Sequence, residues 1–123
     1  MRVLLADDSD TVRRRVAALV RDVPGALIVA EAADAPTAIA AAAAHRPDVI
    51  VLDVMMPGGG GLAVMDALGS GDGRATVIVF TNHADEETRA AFLARGAAHV
   101  LDKSHDVERL VAVLVDLARG RAG

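Results

Sequence analysis

A chain of 123 residues with 53% apolar side chains is long enough to bury a core of its own, which excludes a disordered tail. Thirteen Lys and Arg against 17 Asp and Glu give a formal charge of −4, and that mildly acidic balance offers nothing to a nucleic acid. Cysteine is absent, which excludes disulfides and thiolate metal sites, and no apolar run is long enough to span a bilayer.

The elements follow in order. "RVLLA" (2–6) reads as a strand, and residues 10–22 as a helix with Val12, Val16, Leu19, Val20 and Val23 on one face. "LIVAEA" (27–32) is a second strand. In "DAPTAIAAAAAHR", Asp34 is an N-cap and Pro36 lies in the first turn; alanine is the best helix former, so the run is read as helix. "DVIVLD" (48–53) is a third strand, and Gly61 to Ser70 a short helix. "ATVIVF" (75–80) and "AHVLD" (98–102) are strands on either side of a helix from Asp85 to Arg95, which Gly96 closes. The last helix is expected to start near Ser104 and to carry Val107, Leu110, Val111, Leu114 and Leu117; residues 119–123 are expected to fray.

The middle three strands are apolar at consecutive positions, which suits strands covered on both faces. Strict β-α alternation predicts an α/β fold: a doubly wound, five-stranded parallel sheet with five helices on both faces, as a single domain over 1–123. With only Phe80 and Phe92 aromatic, Val, Leu, Ile and Ala must fill the core. "MRVLLADDSD" turns acidic too early for a signal peptide, so a cytoplasmic location is expected.

In such sheets ligands bind beyond the carboxyl ends of the strands. Here those ends are Asp7 and Asp8, Asp53, Thr81 and Lys103. Three carboxylates together would repel one another without a cation, and one lysine is too little for three. An oxygen-only donor set favours a hard divalent ion, and Mg²⁺ is the one expected. A carboxylate beside Mg²⁺, a hydroxyl and an ammonium is a setting for phosphoryl chemistry.

The four pieces "LLADDS", "VIVLDVMMPGGGG", "VIVFTN" and "GAAHVLDKS" together resemble the receiver domain of bacterial two-component response regulators, across essentially the whole chain. The resemblance implies a flavodoxin-like strand order 2-1-3-4-5. It implies that Asp53 is the phosphoacceptor, served by a sensor histidine kinase or phosphotransfer protein. Asp8 would bind Mg²⁺ directly and Asp7 through water, with the Met55 backbone carbonyl beside Asp53 completing the protein ligands. Thr81 would move to bond the phosphoryl group, and Lys103 would pair with it. Pro57 and Gly61 match the loop after the acceptor. The output would be altered binding of a downstream protein through the face of the fourth helix, fifth strand and fifth helix, as a monomer or a phosphorylation-dependent dimer, with no enzyme activity beyond its own phosphorylation and dephosphorylation.

Three positions depart from that pattern. Val100 stands where the family usually has Tyr or Phe, and alternation points Phe80 to the opposite side, so it is not a substitute. Ser104 follows Lys103 in place of a proline, which leaves the isomer of that bond open and offers Ser104 as a helix cap. Met55 and His83 occupy the two positions that tune acyl-phosphate lifetime in the family. Arg13, Arg14 and Arg15 read as a solvated face with a possible docking role, and "GGGG" (58–61) as a flexible loop. His45, His83, His99 and His105 share no metal-ligand spacing and read as surface or loop residues. An alternative within the family is the N-terminal receiver of a larger DNA-binding or enzymatic regulator. A small-molecule phosphatase of the haloacid dehalogenase type would need an acid two residues after Asp53, where this chain has Met55. Flavin binding would need a Ser/Thr-rich phosphate loop and ring-sandwiching aromatics that the sequence lacks.

Overall fold

A computed structural model describes residues 1–69 and 74–122. The elements run β1 (Arg2–Ala6), α1 (Asp10–Arg21), β2 (Leu27–Ala32), α2 (Ala35–His45), β3 (Val49–Leu52), α3 (Gly60–Leu68), β4 (Thr76–Thr81), α4 (Glu86–Ala94), β5 (His99–Asp102) and α5 (Val107–Ala122). All five strands are parallel, in the order β2-β1-β3-β4-β5, which is the flavodoxin-like arrangement. Ser70, the expected end of α3, and Gly123, the end of the expected frayed tail, lie outside the described residues. No helix among the described residues is long and apolar enough to cross a membrane.

Three of the helices start where the sequence offers a side-chain cap. Ser9, Asp34 and Asp85 accept the backbone N–H of Val12, Thr37 and Thr88, so α1, α2 and α4 begin on satisfied donors. The last helix differs from expectation. It starts at Val107, and Ser104 does not cap it: the Ser104 N–H and hydroxyl both donate to the Asp102 carboxylate, at 2.7 and 2.6 Å. The Asp106 carboxylate in turn accepts the Asp102 N–H at 2.8 Å. This cross-braced turn takes the place of the proline, and the Lys103–Ser104 bond is trans.

Alternation along the strands splits the core into two layers. Leu4, Ile50, Leu52, Val79 and Val100 face α2, α3 and α4, where Val64, Met65 and Phe92 meet them. Val3, Leu5, Val51, Phe80 and Leu101 face α1 and α5, against Val16, Val20, Leu110 and Leu114. Leu110 has no exposed surface, and truncating such a residue to alanine costs about 2–5 kcal/mol. Val111, expected on this stripe, is only half-buried; Ala118 lies on it instead. The expectation that the middle three strands are covered on both faces holds for β3 and β4 but not for β2. As an edge strand it leaves Leu27 60% exposed and Ile28 to Ala30 half-buried.

The register fixes the functional rim. Ala6 pairs with Leu52, Leu52 with Val79, and Thr81 with Asp102, so the residues that follow converge at one end of the sheet. Backbone bonds continue that alignment past the strands, from Asp53 N–H to the Ala6 carbonyl at 2.9 Å and from Lys103 N–H to the Thr81 carbonyl at 3.0 Å.

Candidate functional site

Asp53 directly follows β3 and is 5% exposed. Its Oδ1 accepts the Val54 N–H at 2.8 Å and its Oδ2 accepts from Lys103 Nζ at 3.1 Å. Asp7, also buried, accepts the Ser9 N–H at 2.8 Å through Oδ1 and pairs with Lys103 Nζ at 2.7 Å through Oδ2. Asp8 is exposed at the rim. One carboxylate oxygen from each of Asp7, Asp8 and Asp53 lies within 4.8 Å of the others. Thr81 is fully buried, and its hydroxyl accepts the His83 N–H at 3.1 Å.

The charges are unbalanced. Burial pushes the Asp7 carboxyl above its ordinary value despite bonds from Lys103 and Ser9, and the negative charge of Asp53 adds to the shift. Burial alone would lower Lys103, but the hydrogen bonds and charges of Asp7 and Asp53 outweigh it and hold the ammonium above its usual range. The Lys103 ammonium pairs with Asp7 and Asp53 but not with Asp8. The residues therefore fit a hard divalent cation: the donors are all oxygen, they are close enough to share one ion, and the pocket is short of positive charge.

In the glycine run, Gly58 and Gly59 lie in a turn and Gly60 and Gly61 open α3. Gly58, Gly59 and Gly60 all have positive φ, a region side chains avoid. A Cβ at Gly61 would lie 2.6 Å from the Asp53 carbonyl oxygen, and one at Gly60 would lie 2.7 Å from that of Val54. The turn is wrapped onto the backbone of Asp53 and Val54, and the Gly61 N–H donates to the Val54 carbonyl at 2.8 Å.

Two arginines were not legible as site residues. Arg14 and Arg15 are exposed as expected, but Arg13 is half-buried and its guanidinium reaches the Asp7 carbonyl at 2.7 Å. Arg89 of α4 donates to the Val100 carbonyl at 2.6 Å, tying the helix to β5. Val100 and Phe80 lie in opposite layers, so Phe80 does not stand in for the missing aromatic. His45, His83 and His105 are exposed; His99 is half-buried within β5, not in a loop.

Known proteins share this arrangement. A family profile described as the response regulator receiver domain matches residues 3–115. The nitrate/nitrite response regulator protein NarL of Escherichia coli K12 is 34% identical over 118 residues, covering 96% of this chain and 55% of that protein. A two-component response regulator of the LuxR family from Aurantimonas sp. SI85-9A1 superposes with a TM-score of 0.87 at 33% identity, over 97% of this chain and 85% of that one. The CheX-CheY-BeF3-Mg complex from Borrelia burgdorferi gives 0.78 at 25%, over 94% and 90%. The chain spans about half the length of the curated relatives it matches, 55% in the case of NarL. With its fold, its acidic pocket and these relatives, the chain belongs to the response regulator receiver domain family of two-component signalling, a domain with no catalysis of its own beyond its phosphorylation chemistry.

Proposed function

We propose that this receiver takes a phosphoryl group onto Asp53 from the phosphohistidine of a sensor histidine kinase or phosphotransfer protein, and that the resulting change at Thr81 and on the α4–β5–α5 face alters binding of a downstream protein. The observation that carries this is the placement of Asp53: a buried carboxylate at a strand end, held by Lys103 and sharing a pocket with Asp7 and Asp8.

In the transfer, a carboxylate oxygen of Asp53 attacks phosphorus as the P–N bond to the donor imidazole breaks. The electron pair returns to the ring nitrogen, which takes up a proton. Asp8 would hold Mg²⁺ directly and Asp7 through water, with Asp53 and the Met55 carbonyl, and the ion would supply positive charge against the phosphoryl oxygens. Lys103 moves its ammonium from Asp53 Oδ2 to a phosphoryl oxygen. The Thr81 hydroxyl accepts the His83 N–H and keeps its own proton to donate, so turning it toward the phosphoryl group draws on the loop that leads to α4. Asp85, two residues past His83, caps α4, and Arg89 carries the displacement to β5. Moving an equilibrium from 1:99 to 99:1 takes roughly 5.5 kcal/mol, and hydrogen bonds to a charged group give about 1.5–3 kcal/mol each. About two to four such bonds are enough for a switch.

Intact mass after incubation with Mg²⁺ and acetyl phosphate tests the reading, on the parent and on Asp53→Asn. A gain of one phosphoryl group in the parent alone is expected. An equal gain in both would move the acceptor elsewhere.

A second reading is favoured by the length of the relatives: the chain as the receiver module of a larger regulator whose DNA-binding or enzymatic output lies beyond these residues. A reading frame that continues past Gly123 into such a module would establish it. Light scattering with and without beryllofluoride would show whether the receiver stays a monomer or dimerises on activation.

A further inference from the structure

Helix α1 carries three successive arginines, and one of them turns inward. Arg13 has a side chain only 17% exposed, and its three nitrogens have separate partners. Nη1 donates to the Asp7 carbonyl at 2.7 Å, Nε to Glu31 of β2 at 3.2 Å, and Nη2 pairs with the Asp10 carboxylate. Its charge is balanced by Asp10 of its own helix and Glu31 of β2, neither of them among the three carboxylates of the acidic pocket. What the guanidinium adds to the pocket is geometry. It anchors the peptide that joins Asp7 to Asp8.

That anchor matters because the two aspartates are held differently. The Asp7 carboxylate is fixed by Lys103 and the Ser9 N–H. Among the described residues no hydrogen bond or ion pair holds the Asp8 carboxylate, so its direction depends on its backbone. We propose that Arg13 is a positioning residue for the cation site, clamping the Asp7 carbonyl so that Asp8 presents its carboxylate toward Asp7 and Asp53. This rests on the reading that those three carboxylates hold a divalent cation.

The sign of the effect separates positioning from simple electrostatics. Removing a positive charge near a cation site should tighten cation binding by Coulomb attraction. Removing a group that orients a ligand should weaken it, typically by about 10–100-fold for an outer-shell partner. A purely structural staple would lower stability and leave affinity unchanged.

Calorimetric titration of the unphosphorylated full chain with Mg²⁺ decides, on the parent, Arg13→Gln, Arg13→Lys and Asp8→Asn. Arg13→Gln is expected to bind Mg²⁺ about tenfold more weakly. Arg13→Lys, whose ammonium cannot reach all three partners, should shift in the same direction by less, and it keeps the test open if the glutamine variant does not fold. With acetyl phosphate, Arg13→Gln should need more Mg²⁺ for half-maximal phosphorylation yet reach the parent rate at saturation. Unchanged or tighter Mg²⁺ binding by a folded Arg13 variant overturns the inference while leaving the site in place. A parent that binds no Mg²⁺ overturns the site itself, and the inference with it.

Discussion

The ammonium of Lys103 lies 3.1 Å from Oδ2 of Asp53, across fifty residues of sequence. Both side chains are nine-tenths buried, and the same ammonium pairs with Asp7. Without it, two buried carboxylates would face each other uncompensated. Lys103→Met is therefore expected to lower stability by about 3–5 kcal/mol in Mg²⁺-free buffer, read from urea unfolding. Added Mg²⁺ should recover more stability in this variant than in the parent, because the cation would replace the lost charge. A variant as stable as the parent without Mg²⁺ would contradict the pairing.

Asp7 sets a pH dependence of defined sign. Its carboxyl is raised in the folded state, chiefly by burial, above an ordinary value of 3.8. The folded protein thus holds that proton more tightly than the unfolded chain. The contribution is favourable below the ordinary value and is lost as pH rises through the raised folded value. Asp34, Asp85 and Asp102 are shifted down by hydrogen bonds from Thr37, Thr88 and Ser104 and act in the opposite direction, so the comparison must be with a variant at Asp7. Without Mg²⁺, Asp7→Asn should melt with the parent in strong acid and above it at neutral pH. A parent that is the more stable at pH 7 would reverse the assignment.

Gly61 lies against the backbone of Asp53. An alanine methyl there would press on the Asp53 carbonyl at 2.6 Å and the Phe92 ring at 3.2 Å. Gly61→Ala should cost about 1–3 kcal/mol, the range for overpacking a filled site, and slow phosphorylation by acetyl phosphate. Gly69→Ala is the control: its Cβ would meet open space, although its φ of +68° still imposes strain. Equal phosphorylation rates in the two variants would show that the contact at Gly61 does not bear on Asp53.

Met55 is 56% exposed two residues past Asp53. Its thioether offers no donor to orient an attacking water, which favours a long-lived acyl phosphate. Met55→Asn should shorten the lifetime of the phosphorylated state, measured by the decay of the phosphorylated mass. A longer lifetime in the variant would refute that role.

The strand ends were legible because an apolar run that stops at Asp, Thr or Lys marks both the strand and the rim. Asp7, Asp53, Thr81 and Lys103 were found that way, and the register brings all four together. Edge position was legible only through the strand order that the resemblance implies, since nothing in "LIVAEA" itself distinguishes a strand with one neighbour from a strand with two. The start of α5 was missed because Ser104 is a good cap in isolation; Asp102 competes for the same groups and wins them. Arg13 was hidden among identical neighbours. Only helical phase, with Val12 and Val16 facing inward, decides which of the three arginines reaches the β1–α1 loop. The Arg89 bond to Val100 ends on a backbone carbonyl, a partner that carries no side-chain signature.

The division of the core into two layers has one more consequence. The chain has two aromatic rings, and they fall on opposite sides of the sheet, Phe80 with α1 and α5 and Phe92 with α3 and α4. Phe92 lies against the turn that wraps Asp53, while Phe80 precedes Thr81 in β4. A uniform fluorophenylalanine label would therefore yield two resonances, one for each side. Phosphorylation at the shared rim could be followed in each half independently, without altering a single residue of the acidic pocket.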